Sequence, residues 1–455
     1  MHIAKLLPLS ALLLSSCLVG QHYTGPQEVE LPATWVNAMP PASDATTLEE
    51  WWKAFRDPQL EALIHQAFSG NPDMVNAALA ISRAESSLRA TRAGLLPGVS
   101  ASVGGTNAGD FDISASHGRW NGGLSASWTP DIWGGTRREV EAAFASLGST
   151  QAAANATRTA LAASVASAYF QWISASESLR IAREQLAYQE RTYRVTRERF
   201  DNGFASELDL SEARTTIAST RAQIPAHEAT LRNCANTLAT LLGTTVDKVQ
   251  LTLPSTSVYN LVPGVPTGLP SELLRRRPDI IRAERELHAA TAGVGVKVAA
   301  LFPRLSLTGS ASASSGTDFS QFWQNSAWSL GASAGQSLLN RTALNEAVEQ
   351  ADLQKQTAAQ NYRKTVLAAF AEVESCLIDY ARYTGQLPQY EAVAASSKRS
   401  AELALRRFNA GQSDFINVAA AERAWLAAEL NITSTRQNIR LKLAQLCTAL
   451  GGGWK

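Results

Sequence analysis

Residues 165–200 read VASAYFQWISASESLRIAREQLAYQERTYRVTRERF. Val165, Trp172, Leu179, Leu186, Tyr193 and Phe200 recur every seventh residue, the stripe of a coiled-coil helix. The helical pattern extends back to Gly134, so the helix covers roughly 67 residues and, at about 1.5 Å per residue, close to 100 Å. A globular core needs no such rod. A second stripe, Val373, Tyr380, Leu387, Ala394, Ala401 and Phe408, stands in the equivalent register. The returning helices carry their own: Leu210, Ile217, Ile224, Leu231 and Leu238, then Val418, Trp425, Ile432, Ile439 and Leu446. The first return, about 206–242, is shorter by nearly half, and a helix predicted over 72–94 is expected to stack on it end to end. Pro225 and the Gly385 to Pro388 segment are expected to kink or break their helices, because proline lacks the amide donor and clashes with the preceding turn.

The matching registers reflect a tandem repeat. Asn71-Pro72-Asp73 aligns with Arg277-Pro278-Asp279, and Leu95-Leu96-Pro97 with Leu301-Phe302-Pro303, at an offset of roughly 206 residues. Arg199-Phe200 with Gly203 pairs with Arg407-Phe408 with Gly411, and Leu242-Gly243 with Leu450-Gly451. The expected organisation is a signal peptide at 1–16, an N-terminal segment at 17–70, one repeat at 71–243, a linker at 244–270 and a second repeat at 271–455. The linker holds Pro254, Pro263, Pro266 and Pro270 and is expected to run as a belt around the helices.

Between the short and long helices of each repeat the period changes to two. Val99, Ala101 and Val103 alternate with Ser100, Ser102 and Gly104, and Leu124, Ala126 and Trp128 with Ser125 and Ser127. The second repeat sets Leu305 and Leu307 against Ser306 and Thr308, then Trp328, Leu330, Ala332 and Ala334 against Ser329, Gly331 and Ser333. Strands of about 10 residues with this alternation suit a transmembrane β-barrel, although half-buried soluble hairpins share the pattern. Four strands cannot close a membrane barrel, whose smallest form has about eight, so insertion requires an oligomer. Trp120, Trp128, Trp323 and Trp328 flank the strands, either as interface girdles or as packing within barrel and loops.

The N-terminus has one positive charge, Lys5, then an apolar run from Leu6 to Leu14 too short to span a bilayer. Its end, Leu14-Ser15-Ser16-Cys17, resembles a bacterial lipobox, which implies a covalent lipid on Cys17; the alternative is a plain signal peptide. Leu18 after the cysteine, in place of Asp, points such lipoproteins to the outer membrane. Cys234, Cys376 and Cys447 are odd in number and irregular in spacing, so buried thiols are expected, with one disulfide still open. Lys plus Arg total 41 against 40 Asp plus Glu, which gives no field for nucleic acid. The six histidines are scattered, with no zinc-protease spacing, no phosphate loop and no nucleophile elbow, so no enzyme chemistry and no metal or other cofactor is expected. Three methionines leave a methionine-lined copper route unsupported.

Leu273-Leu274-Arg275-Arg276-Arg277-Pro278-Asp279-Ile280, Ala283-Glu284, Leu301-Phe302-Pro303 and Gly203-Phe204-Ala205-Ser206-Glu207-Leu208-Asp209-Leu210, with the repeat itself, resemble the TolC-type outer membrane factors, in particular the NodT/OprM-like efflux lipoproteins. The resemblance covers nearly all of the mature chain. It implies a mainly α fold with a transmembrane β-barrel: a homotrimer whose twelve strands, four per chain, continue into a trimeric α-helical barrel reaching into the periplasm. It further implies a passive exit duct fed by a periplasmic adaptor (a membrane fusion protein) and an inner-membrane transporter, commonly of the resistance-nodulation-division type. A type I protein-secretion duct has the same fold, and a periplasmic coiled-coil scaffold lipoprotein that does not span the membrane is the alternative from another class.

Candidate site residues cluster where the long helices reverse. Gly203 and Gly411 supply the positive φ of a helix stop, and the resemblance makes these turns the adaptor-facing tips. Asp414 is either a helix N-cap or, repeated three times about an axis, a gate carboxylate; the resemblance places the family's acidic residue nearest Ser413. Arg199, Arg407 and Asp201 are either solvated charges or interchain ion pairs that hold the tips together. Arg276, Arg277 and Asp279 read as the structural start of a helix, with Pro278 in its first turn.

Overall fold

The computed structural model describes residues 18–37, 48–109, 116–254, 270–316 and 321–454. The signal peptide at 1–16, the candidate lipidation site Cys17 and most of the proline-rich linker lie outside the described residues. A 3-10 segment, Leu48–Phe55, precedes α1 (Pro58–Gly70) and α2 (Pro72–Ala93). Strands β1 (Gly98–Gly109) and β2 (Ser116–Trp128) lead to α3 (Gly135–Asp201, 67 residues) and α4 (Glu207–Leu241, 35 residues). The second repeat has α5 (Leu273–Arg276), α6 (Pro278–Ala299), β3 (Arg304–Ser315), β4 (Ser326–Gly335), α7 (Arg341–Asn409, 69 residues) and α8 (Phe415–Ala449, 35 residues).

Contacts divide the chain into two compact units that cut across the sequence repeats. Of the described residues, one gathers those before Glu30 and those within Leu79–Ala152 and Ile281–Thr365; the other gathers those within Glu30–Ala78, Ala153–Ile280 and Val366–Lys455. In the first, the four strands form one antiparallel sheet in the order β1-β2-β3-β4, so the two hairpins pair side by side. Trp133 stacks on Phe302 at 4.7 Å beneath it. The buried Arg138 guanidinium donates to the carbonyls of Val19 (3.2 Å) and Gly20 (3.3 Å) and to Glu141 at 2.6 Å, which fixes the N-terminal segment.

In the second unit an aromatic core of Trp51, Trp52, Phe55 and Phe170 packs around α1. Asp57 caps α1 through the amides of Gln59 and Leu60 and accepts the Tyr169 hydroxyl at 2.8 Å. The end-to-end joints follow one plan in both repeats. Asn71 Nδ2 donates to the Leu241 carbonyl at 2.8 Å, and Arg277 Nη1 to the Ala449 carbonyl at 2.8 Å, so the residue before each proline-started helix fastens the end of a return helix. Gly243 (φ 65°) and Gly451 (φ 82°) end those helices, and a Cβ on Gly243 would meet the Gly70 carbonyl at 2.0 Å. Arg277 also pairs with Asp279 and Glu372, in keeping with a structural role for the motif.

Two expectations change. Pro225 and Pro388 sit inside uninterrupted helices, because each removes only one amide from a helix whose neighbours are all in place. The apolar heptad also holds only along part of α3: Val165, Trp172 and Leu179 are buried, but below Ala182 the buried positions are Gln185, Gln189, Thr192 and Thr196. Leu186, Tyr193 and Phe200 are half-buried flanks there. Cys234, Cys376 and Cys447 are buried free thiols.

Candidate functional site

Both long hairpins reverse by the same device. Gly203 (φ 78°) and Gly411 (φ 72°) take the left-handed conformation that glycine adopts without steric cost. The Gly203 amide donates to Phe200 O and the Phe204 amide to Arg199 O; in the second tip, Gly411 donates to Phe408 O and Gln412 to Arg407 O. This paired pattern is the Schellman stop, which satisfies the last helical carbonyls.

Their other contacts differ, because the first tip holds the second. Ser206 and Asp209 form a capping box on α4, with the Ser206 amide donating to Asp209 Oδ2 at 2.9 Å and the Asp209 amide to Ser206 Oγ at 3.1 Å. Asp209 Oδ1 accepts the Phe415 amide at 2.9 Å and so also caps α8. Burial opposes its charge, but the hydrogen bonds from Ser206 and Phe415 and the charge of Arg199 outweigh it and hold the carboxyl below the usual range. Arg199 donates to the Asn409 carbonyl and, at 3.1 Å, to the Phe204 carbonyl, with its guanidinium 5.1 Å from the Phe408 ring centroid. Phe408 and Phe415 meet edge to face at 5.5 Å in a small core with Ala213, Val418 and Ala419.

The sequence-derived candidates therefore separate. Arg199 joins the two tips within one chain. Asp201 pairs with Arg197 on its own helix at 3.0 Å. Asp414 stands at the N-cap of α8 but makes no side-chain cap bond, and Ser413 Oγ accepts from Asn417 Nδ2 at 3.0 Å. Asp414 and the Arg407 side chain are exposed at the second tip. Asp209, which stands outside the sequence-derived candidates, joins this cluster, and Ser206-Glu207-Leu208-Asp209 spells its capping box in the sequence.

The sheet is the second functional surface. Register places Val99, Ala126, Gly309 and Leu330 abreast, and likewise Ala101, Leu124, Ala311 and Trp328, all on one face. The opposite face carries the row Ser100, Ser125, Ser310 and Ser329, where hydroxyls meet across strands at 2.7 and 2.9 Å. The apolar face is uncovered: Val103 is 81% exposed, Leu330 80% and Trp328 77%. Among the described residues, the edge strands β1 and β4 have no further strand beside them. A bilayer covers such a face and further strands cover such edges.

A sheet apolar on one face and small and polar on the other, joined to helices of 67 and 69 residues, defines an outer-membrane channel subunit. The family model described as outer membrane efflux protein matches residues 63–244 and 269–452. The chain belongs to the outer membrane efflux protein family. The pyoverdine export outer membrane protein OpmQ of Pseudomonas aeruginosa is 32% identical over 93% of this chain and 91% of its own. The probable outer membrane lipoprotein SilC of Salmonella typhimurium is 30% identical over 92% of this chain and 91% of its own. Among solved structures, the outer-membrane channel OprN superposes with a TM-score of 0.87 at 29% identity, covering 96% of this chain and 100% of that one. The protein is an outer-membrane efflux channel with the TolC-like tandem-repeat fold.

Proposed function

We propose that three copies of this chain form a passive exit duct in the outer membrane, through which drugs or other small molecules leave after transfer from an inner-membrane transporter, of the resistance-nodulation-division type, by a periplasmic adaptor. The observation that carries this reading is the phase-locked sheet: four strands share one exposed apolar face, and neither edge strand has a partner among the described residues. Export of pyoverdine by a relative, as the name of OpmQ records, supports an efflux cargo here. The duct catalyses no reaction and needs no cofactor beyond the lipid on Cys17.

That lipid is supported by where the chain emerges. The Val19 amide donates to the Trp133 carbonyl at 3.2 Å, and Leu18 packs against Gly134, directly below β2. Mass spectrometry of the mature N-terminal peptide is expected to find acyl chains on Cys17 and none in Cys17→Ser. For the transport reading, cells lacking their own exit duct are expected to regain drug export when given this chain with an adaptor and transporter of the efflux type. Secretion of a polypeptide without drug export would instead identify a type I secretion duct.

At the tips, Asp414, Ser413, Arg407, Arg199 and Asp201 form the periplasmic gate region in this reading, and Gly203 and Gly411 its turns. Three exposed Asp414 carboxylates around the axis would favour cations, so Asp414→Ala is expected to reduce cation selectivity in planar bilayers; unchanged selectivity removes that role.

A further inference from the structure

One turn beyond the tip core, a carboxyl occupies a position built for an apolar side chain. Phe415, Val418, Ala419, Glu422 and Leu426 form the buried stripe of α8, and Glu422 is 0% exposed. Among the described residues neither carboxyl oxygen has a hydrogen-bond partner, and the same holds for Gln185 Nε2 and Gln189 Oε1 on α3. The Thr192 hydroxyl faces Glu422 but gives its proton to the Tyr188 carbonyl at 3.2 Å. Gln189, Thr216 and Thr220 of this polar seam also line a pocket of about 320 Å³ between α3, α4 and α8, large enough for several waters.

Charges stand around this site without pairing with it. Tyr188 of α3 lies within the fields of Glu422, of Glu402 on α7 and of Arg191, and Lys398 of α7 stands 5.6 Å from the Trp425 ring centroid on α8. On α8 itself, the Arg423 Nε donates to Ala419 O and Glu429 accepts Trp425 Nε1. From α4 the seam receives Thr216 and Thr220, which are neutral.

We propose that Glu422 is a proton-binding latch on the second helix tip: with the proton, α8 packs dry against α3, and without it the seam takes up water from the adjoining pocket and releases α8. Burial pushes the carboxyl from its ordinary value of 4.5 up to about 7. The direction follows from linkage. Below the ordinary carboxylate range both states are protonated and the packed seam is at full strength. Between there and pH 7 only the loosened state gives up its proton, so the packed seam weakens by up to about tenfold per pH unit. Above pH 7 both states are ionised and the effect levels off.

This latch rests on the duct reading, and one experiment separates the two. The assembled protein in planar bilayers is expected to conduct more as pH rises from about 5 to 7 and to plateau above. Glu422→Gln is expected to stay at the acid level throughout. An equal pH step in Glu422→Gln, or no step in the native protein, overturns the latch while leaving the duct intact. No conductance at any pH would contradict the duct. In that case, or if the variant fails to assemble, hydrogen exchange on the native chain decides: protection of α8 amides near Glu422, corrected for intrinsic rates, is expected to fall over the same window, and constant protection overturns the proposal.

Discussion

Asp209 holds two helix starts at once, its own through Ser206 and the other tip's through the Phe415 amide. A cap of this kind contributes about 1 kcal/mol, so Asp209→Ala is expected to raise exchange of the Phe415 amide several-fold while the upper parts of α4 and α8 stay protected. Because this carboxyl sits below its ordinary value of 3.8, its contribution is complete above that pH and is lost as acid protonates it in the folded state. Melting of the tips as the pH falls below the ordinary carboxylate range, followed by exchange, is expected to become shallower in Asp209→Asn. Gly203→Ala forces a Cβ into φ 78° and is expected to destabilise the tip by about 1 kcal/mol. Both glycines were legible in the sequence because reversal between heptads demands them. The bonds from Arg199 and Asp209 to the other tip were not, since they join residues some 206 to 210 apart in the chain.

At the scale of elements, helix and strand boundaries followed from periodicity, and the strand register turned four weak alternations into one apolar face. The polar seam of α3 escaped that reading. Thr and Gln at buried heptad positions resemble surface residues until the partner helix is known, whereas Leu186 and Tyr193 kept the apolar count going on the flank. Pro225 misled in the other direction, because a single missing amide is tolerated where the rest of a long helix is fixed. A charge tests the sheet directly. Leu330→Arg on the exposed apolar face is expected to cost about 2–4 kcal/mol of membrane insertion at the bilayer midplane. Ser329→Arg, next in the strand but on the polar face, is expected to insert normally. Equal membrane yields, measured by outer-membrane fractionation, would contradict the assignment of faces.

For the whole molecule, the duplication that the sequence displays is used twice for the same tasks. Asn71 and Arg277 fasten the two return helices, Gly203 and Gly411 turn the two tips, and the two hairpins lie side by side in one sheet. The departures from symmetry, the Asp209 bond to α8 and the buried Glu422, fall near the tips where the duct is expected to open. Copies of the same chain are expected to complete the β1 and β4 edges, which have no partner strand among the described residues. Electron microscopy of the detergent-extracted protein tests it most directly. A threefold particle with one twelve-stranded barrel is expected, four adjacent strands from each chain, in which β4 of one protomer pairs with β1 of the next. A monomeric particle, or a trimer whose sheets remain separate with no closed barrel, would contradict it.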